Sequence, residues 1–334
     1  MITEEIRNAA EGVNKKSLFT WLENEVMSSG LPEEEKSIFL KKLFSLKETE
    51  VNVLIAGATG SGKSSTINAL FGRNVARVGT SVFPETLEIE IHRLENLVIW
   101  DTPGFGDGIH NDNEHAQIIR NKLNEEDKDG NALIDLVLVI VDGSSRDLGT
   151  TYEMINKVII PALGEDNCDR LLVAINQADM ALKGRYWNAE NCEPEEELIR
   201  FLEEKAASVK QRIYEETGVL TEPVCYSAGY TDENGVQSKP YNIVKLIHYI
   251  VEKISEEKKA VMTDNLLHGM WAENEDVFDE YDIDEEFEDA NIIDAFERGY
   301  SFGEKILGIP GGVVAGLVTS TVKLLKNIIG VVLE

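Results

Sequence analysis

Apolar residues recur along the chain with two periods, and the change from one to the other divides it into three parts. Over residues 1–48 the spacing is helical. Leu18, Phe19, Leu22 and Val26 share one face of a 3.6-residue repeat, and Ser28-Ser29-Gly30 interrupts it. Pro32 followed by three glutamates predicts a helix start, because proline suits the first turn and acids suit its dipole. Ile38, Phe39, Leu43 and Phe44 then form a second stripe. The expected product is a helical hairpin whose apolar face needs a partner.

Residues 49–256 alternate short apolar runs with longer helical stretches. Val51–Ala56, Leu97–Trp100, Ile134–Val141 and Leu171–Ile175 each end in Gly, Asp or Asn. That is the pattern of a mostly parallel sheet with helices on both faces. Thr86–Leu94 alternates strictly, and only Glu95-Asn96 separates it from the next run, so an antiparallel edge strand is expected there. Residues 257–334 differ again. Glu273 to Glu297 is rich in Asp and Glu and has no Lys or Arg, while Ile306 to Val322 carries no charge. The apolar stretch is slightly short for a membrane span and contains Pro310. Gly308, Gly312 and Gly316 space it for close helix contact. Packing against the N-terminal hairpin and membrane or self-association contact through residues 306–333 both remain open.

Charge narrows the partners. Lys and Arg number 32 against 61 Asp and Glu, a formal charge of −29 over 334 residues. Such a surface repels nucleic acid and anionic headgroups, so no direct DNA binding is expected and only a local basic patch could serve. Cys168, Cys192 and Cys225 are scattered and form no CxxC pair, which argues against a disulfide framework or zinc site. With an acidic N-terminus lacking an apolar signal core, the expected location is cytoplasmic, with peripheral membrane contact as a variant.

The chemistry lies in the middle part. Gly57-Ala58-Thr59-Gly60-Ser61-Gly62-Lys63-Ser64 follows the run Val51–Ala56 and opens a helix Ser65–Phe71. It matches the phosphate-loop pattern in its required strand–loop–helix setting. Glycines let backbone N–H groups converge on phosphate oxygens, and the helix N-terminus adds positive charge. Lys63 would reach the β- and γ-phosphates, and Ser64 would ligate Mg²⁺. Three further segments select guanine. Asp101-Thr102-Pro103-Gly104 ends a strand, with Asp101 suited to the Mg²⁺ shell and the Gly104 N–H to the γ-phosphate. Asn176-Gln177-Ala178-Asp179 ends another, and a carboxylate at Asp179 can accept both the ring N–H and the amino group of guanine. Ser227-Ala228 follows Pro223–Tyr226, where a backbone N–H can meet the guanine carbonyl. All fall at carboxyl ends of strands, where open α/β sheets bind ligands.

These motifs resemble the translation-factor class of P-loop GTPases. Their order and the strand before Asp101 resemble its Era-like branch. Leu54 to Gly108 and the Asn-Gln-Ala-Asp segment are similar to bacterial Era-related GTPases labelled as ribosome-binding. The phosphate loop is also similar to those of septin, chloroplast-import and immunity-related GTPases, whose G domains pair across the nucleotide. The resemblance covers about residues 50–255 and implies a GTPase domain binding GTP or GDP with Mg²⁺ and hydrolysing GTP as a switch. It also implies a switch threonine that completes the Mg²⁺ shell: Thr86, with Thr80 as rival.

Two departures stand out. Gln177 replaces the usual lysine whose stem packs over the base, so weaker guanine binding is expected. Phe105 stands where Ras-like proteins carry a water-orienting glutamine, and a phenyl ring cannot do that. Slow hydrolysis is therefore expected unless pairing or a partner supplies a group; Arg146 and Arg77 are candidates for a trans arginine. His110 and His115, flanking Asp112 and Glu114, are read as solvated loop residues rather than metal ligands. Three classes stay open: a switch acting on a large assembly such as the ribosome, a self-assembling or membrane-associated GTPase, and a GTP-binding scaffold with little hydrolysis.

Overall fold

The computed structural model describes residues 18–28, 32–72, 75–76, 88–106, 108–230, 238–255, 258–259 and 261–262. Arg77, Thr80, Thr86, the acidic 273–297 stretch and the apolar 306–333 stretch lie outside the described residues.

The chain divides into two compact units. In the smaller one, α1 (Leu18–Ser28) packs on α2 (Glu33–Lys47), with Lys47 Nζ 2.9 Å from a Glu23 carboxylate oxygen. The buried stripe is narrower than expected. Val26, Leu43 and Leu46 are buried, but Ile38 and Phe44 are exposed. At about 100° per residue both lie more than about 100° round α2 from the face that Leu43 and Leu46 share.

The larger unit is built on a six-stranded sheet of order β2-β3-β1-β4-β5-β8, with β1 Val51–Gly57, β2 Glu90–Leu94, β3 Leu97–Asp101, β4 Leu136–Asp142, β5 Leu171–Asn176 and β8 Val224–Cys225. β1 and β5 are buried throughout, as is β4 up to its last residue, which is why they read as unbroken apolar runs. β2 meets β3 through the two-residue turn Glu95-Asn96, with Glu95 at φ 47°. A separate two-stranded ribbon, β6 (Trp187–Asn188) and β7 (Glu193–Pro194), follows β5. The long apolar spacing does not announce it.

Helices cover the sheet: α3 (Lys63–Phe71), α4 (Ile109–Leu123), α5 (Gly149–Met154), α6 (Ile160–Leu163), α7 (Glu196–Thr217) and α8 (Ile243–Lys253). A π-helical turn, Ile155–Ile159, joins α5 to α6. α7 buries Leu198, Leu202, Val209 and Ile213 and stops at Gly218 in the left-handed conformation. α8 buries Ile243, Leu246, Ile247, Ile250 and Val251, a full i, i+3, i+4, i+7, i+8 face worth about 1.5–3 kcal/mol per side chain.

Register sets the site. Gly57 pairs with Ile140, Asp142 with Asn176, and Ile175 with Cys225, all in parallel. The phosphate loop, Asn176 and the residues after Cys225 therefore leave the sheet at one edge.

Candidate functional site

The phosphate loop runs from β1 into α3. Gly60 and Gly62 hold φ of +78° and +92°, and interspersed left-handed residues give a backbone loop its anion-holding concavity. At Gly62 a Cβ would also run into the Asn176 carboxamide, so a side chain is doubly excluded. Lys63 Nζ donates to the Gly57 and Ala58 carbonyls at 3.3 and 3.4 Å, curled over its own loop. Ser61 is buried, and its Oγ has no hydrogen-bond partner among the described residues. Thr59 lies on the same loop, while the helix begins at Lys63, two residues earlier than expected, so Ser64 and Ser65 fall in its first turn.

Asp101, the last residue of β3, is 2 % exposed, and its Oδ1 has no hydrogen-bond partner among the described residues. Burial pushes its carboxyl up to about 6, the Lys63 ammonium pulls it back, and Glu90 adds a small upward push. A buried carboxylate oxygen without a donor among the described residues, and a serine hydroxyl in the first turn of α3, are ligands of the hard-oxygen kind that Mg²⁺ takes. Asp101 and Ser64 thus fit the metal; Thr86 is outside the described residues.

Gly104 lies against the phosphate loop. A Cβ there would meet Thr59 Oγ1, and would stand 2.9 Å from its Cα and 3.0 Å from its N. Phe105 is buried at 5 % exposure in the main core, with Ala116 and Ile119 of α4 in the same cluster. His115 requires a correction. It is 5 % exposed rather than solvated, and its Nδ1 donates to the Gly104 carbonyl at 2.9 Å. The reason is that α4 begins at Ile109, which turns position 115 inward beneath Gly104. The His110 side chain is outside the described residues. No His, Cys, Asp or Glu cluster suited to a metal occurs among the described residues.

The base-selecting segments are joined by side chains. Asn176 Nδ2 donates to the Ser61 carbonyl at 3.0 Å, and its Oδ1 accepts the Ala228 N–H at 2.9 Å. One buried carboxamide so ties the phosphate loop to the Ser227-Ala228 loop. Asp179 Oδ1 accepts the Ser227 hydroxyl at 2.6 Å, which fixes the carboxylate's direction. Gln177, at φ 61°, donates from Nε2 to the Gly60 carbonyl at 2.8 Å and accepts the Ser144 hydroxyl at 3.3 Å. The glutamine is thus a strap across the phosphate loop.

Two supporting groups escaped sequence reasoning. Tyr226 is fully buried, and its hydroxyl lies 2.6 Å from Thr66 Oγ1, which itself donates to the Gly62 carbonyl. Burial raises the Tyr226 phenol well above its ordinary range. Lys205 of α7 donates to the Gly143 and Ser145 carbonyls, bracing the loop that carries exposed Arg146. Asp142 Oδ1 braces the same loop through the Ser144 and Ser145 N–H groups. Only the Gly-Ser-Ser composition after β4 hinted at such a loop.

Comparison with known proteins agrees with this geometry. Residues 52–206 match a family model described as 50S ribosome-binding GTPase. The uncharacterized protein YfjP of Escherichia coli is 31% identical over 156 residues, 46% of this chain and 50% of that one. Neuronal-specific septin-3 of Danio rerio is 40% identical over 77 residues, 19% of this chain and 21% of that one. The chain therefore spans about half or less of the curated relatives it matches. Among solved structures, Toc33 of Arabidopsis thaliana with Mg²⁺ and GMPPNP has a TM-score of 0.42 at 17% identity, over 71% of this chain and 94% of that one. Era with MgGDPNP and a 16S ribosomal RNA segment has a TM-score of 0.41 at 21% identity, over 62% and 58%. Residues 52–206 thus match the family model and have the fold of a P-loop GTPase domain, with its phosphate loop and strand-end aspartate.

Proposed function

We propose that the chain binds GTP and GDP with Mg²⁺, hydrolyses GTP to GDP and phosphate, and works as a nucleotide-dependent switch. The observation that carries this reading is Asn176, which holds the phosphate loop and the base loop in one frame. Phosphate-loop residues Gly57 to Ser65 would cradle the phosphates, with Lys63 moving its ammonium from loop carbonyls to a phosphate oxygen. Asp179, aimed by Ser227, would accept the guanine ring N–H and amino group, and the Ala228 backbone would meet its carbonyl. Gly104 would present its N–H to the γ-phosphate. Ser64 and Asp101, with Thr86 in the GTP state, would hold Mg²⁺, which when bound supplies positive charge to the phosphate oxygens.

Phe105, buried in the core, orients no water, so unassisted turnover is expected to be slow. Pairing of two G domains is the second reading. It is favoured by Arg146, exposed on a loop that Lys205 and Asp142 hold in place beside Gln177. A large assembly such as the ribosome is suggested by the description of the matching family, against which the net charge of −29 weighs. A helical accessory part, residues 1–48 with 257–334, and a cytoplasmic or membrane-peripheral place complete the proposal; exposed Ile38 and Phe44 offer one apolar surface to cover.

The test is GTP turnover with Mg²⁺ across a hundredfold range of protein concentration. A specific rate that climbs supports pairing; a low flat rate with tight binding supports a switch awaiting a partner; absence of guanine-nucleotide binding refutes the proposal. Asp179→Asn should move preference from guanine to xanthine nucleotides, because its amide donates where the carboxylate accepts. Unchanged GTP affinity in a competition assay would defeat the base assignment.

A further inference from the structure

In the segment after Pro103, four backbone polar groups in succession are engaged. The Gly104 carbonyl accepts from His115 Nδ1 at 2.9 Å. The Phe105 N–H donates to the Gly57 carbonyl at 3.2 Å, and the Phe105 carbonyl accepts from the Thr59 N–H at 2.8 Å. The Gly106 N–H donates to Asp112 Oδ1 at 2.8 Å. Two of these partners belong to the phosphate loop. The other two, Asp112 and His115, are three residues apart on α4 and so share one face of it.

A carbonyl oxygen only accepts, so Nδ1 of His115 carries the proton. The ring is buried and stands edge-on to Phe105, at 6.1 Å between centroids and 71° between planes. Gly104 cannot carry a side chain, because Thr59 occupies the place of its Cβ. Glycine is also the residue with the freest backbone torsions, so nothing intrinsic to it fixes the direction of its N–H. The bonds on its carbonyl side narrow that freedom.

We infer that His115 is a positioning residue for γ-phosphate recognition. By holding the Gly104 carbonyl, it fixes the Gly104–Phe105 peptide plane and so limits the directions open to the Gly104 N–H, and Asp112 supports the same segment at the Gly106 N–H. The histidine acts through the backbone and touches no nucleotide. This deepens the reading of the site as one that distinguishes GTP from GDP, and rests on it.

The test compares His115→Leu, which keeps an apolar filling of similar size, with His115→Asn, whose Nδ2 can take the place of Nδ1. Affinities for GDP and for a non-hydrolysable GTP analogue are measured on the full chain, with GTP turnover and melting temperature alongside. His115→Leu should weaken analogue binding and kcat by about three- to tenfold, the size of one net hydrogen bond, and change GDP affinity less than about twofold. His115→Asn should restore most of the loss. Asp112→Ala, at a partly exposed position, should shift the analogue-to-GDP ratio in the same direction by less. Equal weakening of both nucleotides, a fall in melting temperature alone, or failure of the asparagine to rescue would overturn the assignment. A wild-type chain that binds neither nucleotide would refute the switch reading itself, a result separate from a wild-type chain that binds both and a leucine variant that matches it.

Discussion

The two ends of the nucleotide site are built on different principles. At the base end, side chains do the joining: Asn176 reaches both loops, Ser227 aims Asp179, and Gln177 straps Gly60. At the γ-phosphate end the bonds to the phosphate loop are backbone to backbone, through Phe105 on Gly57 and Thr59, and side chains (His115, Asp112) only hold the residues either side of it. A side-chain frame keeps its geometry whichever nucleotide is present. A backbone segment held by a few exchangeable bonds can move as a unit, which a switch requires. On the proposed reading, recognition of guanine would fall to the rigid, side-chain-joined half and recognition of the third phosphate to the movable half.

That contrast can be broken by substitution. Asn176→Ala should have the largest effect, weakening GTP and GDP alike by about 100-fold, since two buried hydrogen bonds vanish and two backbone groups lose their partner. Isothermal titration with each nucleotide checks it, and a loss confined to GTP would erase the distinction between the ends. Gly104→Ala comes next. Its methyl would press on the Thr59 backbone and push the segment away, so a GTP analogue should bind about tenfold more weakly with GDP nearly unaffected. Tyr226→Phe removes a buried hydroxyl from Thr66 and should lower unfolding free energy by about 1 kcal/mol in urea titration, without changing nucleotide preference. Gln177→Ala should be mildest, weakening both nucleotides about two- to threefold, because its strap is exposed to water. If it instead matched Asn176→Ala, the strap and not the buried carboxamide would hold the base end together.

The rigid half was the more legible in the sequence. Asn176, Asp179 and Ser227 are side chains at strand ends, and residue type carries their chemistry. The central strands were legible for a related reason: burial on both faces leaves an unbroken apolar run. In the movable half the motif at Asp101–Gly104 was legible, but the groups that hold it were not. His115 stands among Asn111, Asp112, Asn113 and Glu114, which look like a solvated stretch. Its partner is a carbonyl 11 residues earlier, and a carbonyl is the same at every residue. Gln177 was read through the lysine it replaces, although a long side chain with one donor suffices to reach Gly60. Tyr226 had the look of a strand-end aromatic, and its hydroxyl partner lies 160 residues away. The π-helical turn at Ile155–Ile159 changes the hydrogen-bond register without disturbing apolar spacing enough to be seen.

The same long span bears on the order of events during synthesis. The sheet's edge strand β8 delivers Tyr226 and Ala228 to partners at Thr66 and Asn176, which are made much earlier. A ribosome that has released 200 residues has exposed the phosphate loop, Asp101 and Asp179, but neither of those late arrivals. Contacts of such sequence separation form slowly because loop closure comes first. The nascent chain would therefore carry an open-ended cradle for the time needed to make β8, the last strand among the described residues. Any guanine nucleotide captured at closure would arrive as a seal on a nearly finished domain.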